Sequence, residues 1–205
     1  MNGLIARSRD SVVESPGHLS EKIVEMDFNS FTHGQVVSKL WLCEVLEPYL
    51  SSDSTVFILG GWHNVLGFMM SVRKPNYYST IINVDIDADA IEVAKKVCDA
   101  FPHRVINVAG DSNKHEITPG SFVINCSVEH FESDEWYTKL DSGTMVCVQS
   151  SDVTDPTEPW LIKNPNPDLE TFLKRFPVTE QLFVGTHRIQ YDHFGYNRFM
   201  LIGRK

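Results

Sequence analysis

Short apolar runs separated by stretches of helical spacing constrain this chain more than any other feature. They fall at 55–59 (TVFIL), 80–84 (TIINV), 104–108 (RVINV), 121–125 (SFVIN) and 144–149 (TMVCVQ). A strand with one face in water alternates apolar and polar residues. These runs do not alternate cleanly, so both of their faces are expected to be covered. Interleaved with helices, they predict an open α/β fold around a parallel sheet. Two longer strand-like runs, 181–191 (QLFVGTHRIQY) and 198–202 (RFMLI), end the chain across DHFGYN and read as an antiparallel pair.

Two helices are legible. In DIDADAIEVAKKVCDAF, Asp87 is a good N-cap, and Ala90, Val93, Ala94, Val97 and Phe101 form one apolar stripe. Between Gln35 and Leu50, QVVSKLWLCEVLEPYL places Val36, Leu40, Cys43, Leu46 and Leu50 at helical spacing, which suits a helix covering one edge of the sheet. Residues 1–20 are polar with a Pro-Gly pair and read as a loose arm. The 205 residues, 42% of them hydrophobic, suit one sizeable core, so residues 1–50 are expected to pack as an arm and helix on a domain spanning 51–205.

Charge and cysteine usage narrow the function classes. A net charge of −9 disfavours a broad phosphate-tracking surface, so nucleic acid is an unfavoured partner. The four cysteines, Cys43, Cys98, Cys126 and Cys147, stand singly, without the paired spacing of a structural zinc site. No run approaches the ~18 apolar residues of a membrane span, and the first residues lack a signal-peptide core. The expectation is a cytoplasmic protein with reduced thiols, no membrane partner and no metal.

In a doubly wound sheet, ligands bind beyond the carboxyl ends of the strands where strand order reverses. The relevant ends here are Gly60–Asn64, Asp85–Asp87, Gly110–Ser112 and Asn125–His130. Asp85 closes the second strand about 25 residues past the glycine turn, where a carboxylate can accept both hydroxyls of a ribose. Its alternative is to start the next helix, a role Asp87 already fills. Asp111, in VAGDS, suits either an adenine amino group or a plain turn.

The series FILGGWHN, INVDIDADAIEVAKKV, VINVAGDS, SFVINCSVEHF and the closing strand pair resembles, in order and spacing over about residues 54–205, the successive motifs of class I S-adenosylmethionine-dependent methyltransferases. The resemblance implies an open doubly wound seven-stranded sheet in the order 3-2-1-4-5-7-6, mostly parallel, with strand 7 antiparallel. It also implies S-adenosylmethionine lying across the ends of strands 1 to 4. Gly60, Gly61, Trp62, Asp85, Ile86, Asp111, Ser112 and Asn125 fall at the cofactor positions, Asp85 as the ribose acid and Asn125 near the methyl group. A nicotinamide-binding fold fits less well, because it favours G-x-G-x-x-G at the first turn.

The glycine loop departs from the family pattern of an acid followed by three spaced glycines. Ile58 replaces the acid, Trp62 the second glycine and Asn64 the third. Asn tolerates left-handed backbone, so Asn64 is a mild change; the ring of Trp62 must either turn into the core or stack on a cofactor edge. After the fourth strand, NCSVEHF also resembles a motif that in some relatives holds a metal, but Cys126 replaces one carboxylate. His130 is the candidate general base, against a packing role beneath the following helix.

Two further segments are candidates for the acceptor side. NSFTHGQVVSKLWL gathers Gln35, Ser38 and Lys39 at a helix start, which suits either a carboxylate of the cofactor or substrate, or an ordinary capped helix. The loop 151–167, with Trp160 and several prolines, suits a substrate-side lid or a rigid connection. The leading reading is methyl transfer to nitrogen or oxygen of a small or medium acceptor, worked mainly by positioning. Its rivals are aminocarboxypropyl or other alkyl transfer from the same cofactor, and a non-catalytic adenosine-ligand-binding protein on a decayed scaffold.

Overall fold

The structure is a computed structural model and describes residues 28–74, 80–101, 104–153 and 162–205. The arm expected over residues 1–20 and Trp160 of the expected lid lie outside the described residues. In chain order the elements are α1 (His33–Leu46), β1 (Thr55–Leu59), α2 (Val65–Arg73), β2 (Thr80–Asp85), α3 (Ala88–Val97), β3 (Val105–Ala109), β4 (Phe122–Asn125), α4 (Glu135–Thr138), β5 (Met145–Ser151), α5 (Leu169–Arg175), β6 (Glu180–Gln190) and β7 (Gly195–Arg204). Short 3-10 turns occupy Phe28–Phe31, Glu47–Tyr49 and Val128–His130.

The strands form one seven-stranded sheet in the order β3-β2-β1-β4-β5-β7-β6. β1 to β5 pair in parallel, and β7 runs antiparallel to both β5 and β6. The order that the family resemblance implies is thus the order found.

Side-chain alternation explains why the strands read as nearly continuous apolar runs. Val56 and Ile58 of β1, Ile124 of β4, Cys147 of β5 and Met200 of β7 enter one core with Leu42 and Leu46 of α1 and Leu66 and Met70 of α2. Their neighbours Phe57, Leu59, Val123, Val146, Val148 and Phe199 enter a second core with Trp136 and Tyr137 of α4 and Phe172 of α5. Each face is sealed by helices, so neither set of positions is free to be polar.

The α3 N-terminus forms as expected: Asp87 Oδ1 accepts from the Asp89 and Ala90 amides at 2.9 and 3.0 Å. Its buried stripe is Ala90, Ile91, Val93 and Ala94, while Val97 and Phe101 are half-buried at the margin. The first helix differs from its expected form. It starts at His33 and stops at Leu46, since Pro48 cannot supply the amide that would continue it. Its buried line is Gly34, Ser38, Leu42, Cys43 and Leu46, with Val36 and Leu40 only half-buried.

Small residues occupy the start of that line because other polar groups press on it. The Gly34 amide donates to the Tyr191 hydroxyl at 2.8 Å, and the Gln149 side-chain amide donates to the Ser38 carbonyl at 3.4 Å. The first terminal strand has the expected length, shifted by one residue, while β7 extends beyond the run 198–202 at both ends, with Gln190 opposite Gly195. Asn197 joins β7 because Asp152 accepts from both its backbone and side-chain amides at 2.7 Å.

Candidate functional site

The altered glycine loop is a formed, tightly held turn. Gly60 has φ +65, and a Cβ there would lie 2.7 Å from the Phe131 ring. At Gly61 a Cβ would run into the Asn83 side-chain oxygen. Trp62 and Asn64 also take positive φ, +49 and +53, a conformation that costs an ordinary L-residue on the order of 1–2 kcal/mol. The turn therefore needs other groups to hold it.

Asp85 is the first of these groups. Its Oδ2 accepts from the Trp62 amide at 2.7 Å and its Oδ1 from the Asp87 amide at 3.0 Å. The carboxylate thus joins the β1 turn to the start of α3, and each oxygen retains acceptor capacity. Such charge-assisted bonds contribute roughly 1.5–3 kcal/mol each.

Three asparagines form the second group. Asn64 is fully buried, caps α2 by accepting from the Gly67 amide at 3.1 Å, and donates to Asn107 Oδ1 at 2.9 Å. Asn83 donates to the same oxygen at 3.1 Å and to the Trp62 carbonyl at 3.4 Å. Asn83 and Asn107 sit directly opposite each other on β2 and β3. The Trp62 ring stacks on His63 at 4.3 Å, and His63 Nδ1 lies 2.7 Å from the Ser30 hydroxyl. The Trp62 ring is thus stacked on a histidine that is tied to the chain entering α1, and the turn is intact.

The other expected cofactor residues are disposed differently. Ile86 is 77% exposed beside the buried Asp85, an apolar side chain left in water next to a carboxylate. Asp111 accepts from the Asn113 amide at 2.9 Å and pairs with Lys114 at 3.2 Å, so its carboxylate shapes its own turn; Ser112 beside it is buried. Asn125 is fully buried at the end of β4, accepts from the Ser127 amide at 3.0 Å, and leaves its side-chain nitrogen without a protein partner. Ser127 in turn donates to the Gly60 carbonyl at 3.0 Å, binding the β4 end to the glycine turn.

His130 stands exposed on the 3-10 turn after β4, so it does not pack beneath the following helix. Its neighbour Glu129 is buried. Glu129 Oε1 accepts from Arg198 Nη1 at 2.8 Å and from the Ser151 hydroxyl at 3.2 Å, and Arg198 Nη2 donates to the Cys126 carbonyl. The glutamate of the metal-like motif is thus committed to an arginine, a residue the sequence reading passed over.

Lys39 approaches the same region from α1 and donates to Gln35 Oε1. Burial, reinforced by Arg198, lowers its ammonium to about 8, with Cys126 and Cys43 acting in the opposite sense. Burial raises the thiols: Cys43 to about 12, Cys126 upward, and Cys147 well above its ordinary 9.0. These thiols stay protonated and are poor nucleophiles.

Sequence reasoning missed Asn83, Asn107, Ser127 and Arg198. A signal existed for the asparagines: both strands carry INV, at 82–84 and 106–108, with an amide in an otherwise apolar run. A cavity of about 340 Å³ is bordered by Lys114, His115, Trp136, Lys139 and Thr144, and of the described candidate residues only Asp111 reaches its lining, through Lys114.

No protein-family model and no curated protein matches this chain. Solved structures do. The N-methyltransferase NodS of Bradyrhizobium japonicum WM9, in complex with S-adenosylhomocysteine, superposes with a TM-score of 0.65 at 10% identity, covering 86% of this chain and 91% of its own. The MccD protein gives 0.63 at 10% identity, over 80% of this chain and 96% of its own. An N-methyltransferase of Haemonchus contortus, in complex with phosphomonomethylethanolamine and S-adenosylhomocysteine, gives 0.62 at 12% identity, over 84% of this chain and 54% of its own. Together with the strand order, these likenesses show that the chain has the Rossmann-like fold of the class I methyltransferases.

Proposed function

We propose that this protein is an S-adenosylmethionine-dependent methyltransferase acting on a nitrogen or oxygen of a small or medium acceptor. The observation that carries the reading is the Gly60–Asn64 turn, locked to Asp85 through the Trp62 amide, with Ile86 exposed beside it. An ordinary strand-to-helix connection has no need of three left-handed residues clamped by a buried carboxylate. An apolar surface next to a carboxylate with unused acceptor capacity suits a purine and its ribose.

When bound, S-adenosylmethionine supplies an electrophilic sulfonium methyl group. In this reading Asp85 receives the ribose hydroxyls, Ile86 and Trp62 flank the adenosine, and Gly60 and Gly61 let the turn pass tightly against Phe131 and Asn83. Asp111 and Ser112 border the adenine side, while Asn125 directs its unpartnered amide nitrogen toward the reaction zone. His130, exposed beyond β4, receives a proton from the acceptor. Catalysis rests mainly on holding two reactants in line, so few charged groups are required.

Calorimetric titration with S-adenosylmethionine and S-adenosylhomocysteine tests this. Micromolar binding of both is expected, weakened in Asp85→Ala. No heat from either ligand would overturn the reading and favour a scaffold whose Asp85 serves only its own loop.

A further inference from the structure

The region where β4 and β5 end and β7 begins holds a cation that no carboxylate pairs. Glu129 and Arg198 are each more than nine-tenths buried, and they neutralise one another. Lys39 adds another cation from α1, and its partner is the neutral amide oxygen of Gln35. Among the described residues no carboxylate lies within ion-pair reach of Lys39. A half-buried ammonium without a counter-ion is costly.

Two buried donors lack protein partners near these strand ends, Asn125 Nδ2 closing β4 and Arg198 Nε early in β7. Native interiors satisfy nearly all such groups, so open donors in the region of an unmatched cation point to an occupant that accepts hydrogen bonds. The lowered affinity of Lys39 for its proton agrees, since an anion seated there would restore the charged form.

Position in the sheet says which ligand the cation serves. The residues assigned to the cofactor close β1 to β4 at Gly60, Asp85, Asp111 and Asn125. Lys39 feels Cys126, just past Asn125, and Arg198 of β7, and Gln149 of β5 bonds to the residue before it, so the lysine approaches from the β5 and β7 side. We infer that the methyl acceptor is an anion, and that Lys39, beside the Glu129–Arg198 pair, holds its carboxylate or phosphate group. The inference rests on the methyltransferase reading and adds the charge class of the substrate to it.

Inorganic phosphate is the probe. It is titrated calorimetrically into the full chain, with and without saturating S-adenosylhomocysteine, for the wild type, Lys39→Met and Lys39→Arg. The expected result is phosphate binding that survives S-adenosylhomocysteine, weakens at least ten-fold in Lys39→Met and stays within a few-fold in Lys39→Arg. The arginine variant separates loss of charge from loss of packing.

Three outcomes overturn the inference: no phosphate binding, equal binding by Lys39→Met, or displacement of phosphate by S-adenosylhomocysteine. The last would give the cation to the cofactor's carboxylate. Lys39-dependent phosphate binding without any S-adenosylhomocysteine heat would sink the methyltransferase reading alone and uphold the anion site.

Discussion

Around the ends of β1, β2 and β3, polar side chains answer one another: Asp85 holds two backbone amides, and Asn64, Asn83 and Asn107 share their hydrogen bonds. Around β4, β5 and β7 the groups are just as buried, but several of their atoms lack partners, against only Asn83 Oδ1 among the four side chains just named. The first half is largely satisfied by the chain itself; the second leaves more of its donors and acceptors open. This is the division expected where one ligand is generic and the other specific, because buried polar groups discriminate most when only the right partner satisfies them.

The sharpest way to break the comparison is to remove one member of the Glu129–Arg198 pair. Glu129→Ala should destabilise the fold by roughly 3–5 kcal/mol in chemical denaturation, because it strands a buried guanidinium. A double Glu129→Met, Arg198→Met variant should recover most of that loss. Equal stabilities of the single and double variants would show that the two charges do not depend on each other.

Next in size is the loop clamp. Asp85→Asn cannot accept from both amides with its single oxygen, and about 1.5–3 kcal/mol of charge-assisted bonding is at stake. Binding of S-adenosylhomocysteine should fall by roughly ten- to a hundred-fold, read by calorimetry. Unchanged affinity would detach Asp85 from the ligand.

Asn64→Ala should cost about 1–2 kcal/mol in thermal or chemical unfolding, since it loses the α2 cap and its bond to Asn107 and keeps a left-handed backbone. Asn64→Gly should cost less, because glycine takes that conformation freely. The reverse order would mean that glycine's greater freedom in the unfolded chain outweighs the relief of left-handed strain.

The smallest effect is the pH dependence. Lys39 releases its proton at about 8 in the fold against 10.5 ordinarily, so the unfolded chain holds more protons between these values and stability rises with pH there. Cys43 titrates at about 12 against 9.0, so above 9.0 the folded chain holds more protons and stability falls; Cys98, raised to about 11, adds to the fall. Denaturation midpoints should therefore climb from about pH 8 to 9 and then decline. Lys39→Met should remove the climb and leave the decline.

The sheet was legible because a doubly covered strand must be apolar on both faces, which leaves a mark in a single sequence. The positions of Asp85, Asp87 and Asn125 were legible for a related reason: polar residues closing apolar runs mark strand ends. Arg198 was not, because it lies 69 residues from Glu129 and nothing near it in the chain signals the partner. The α1 stripe was misjudged for the same reason, since Gly34 and Ser38 are buried by Tyr191 and Gln149, which lie far along the chain.

By itself the sequence determined the alternation of strands and helices and the places where polar residues leave the sheet, because periodicity and end residues are local properties; the strand order came from the resemblance of its motifs to a known family. Only the tertiary structure decided that Trp62 leaves the turn intact, that Glu129 belongs to Arg198, and that Lys39 is a cation without a counter-ion. Each of these depends on side chains brought together from distant segments, and burial and pairing are properties of the folded neighbourhood that no single stretch of chain contains.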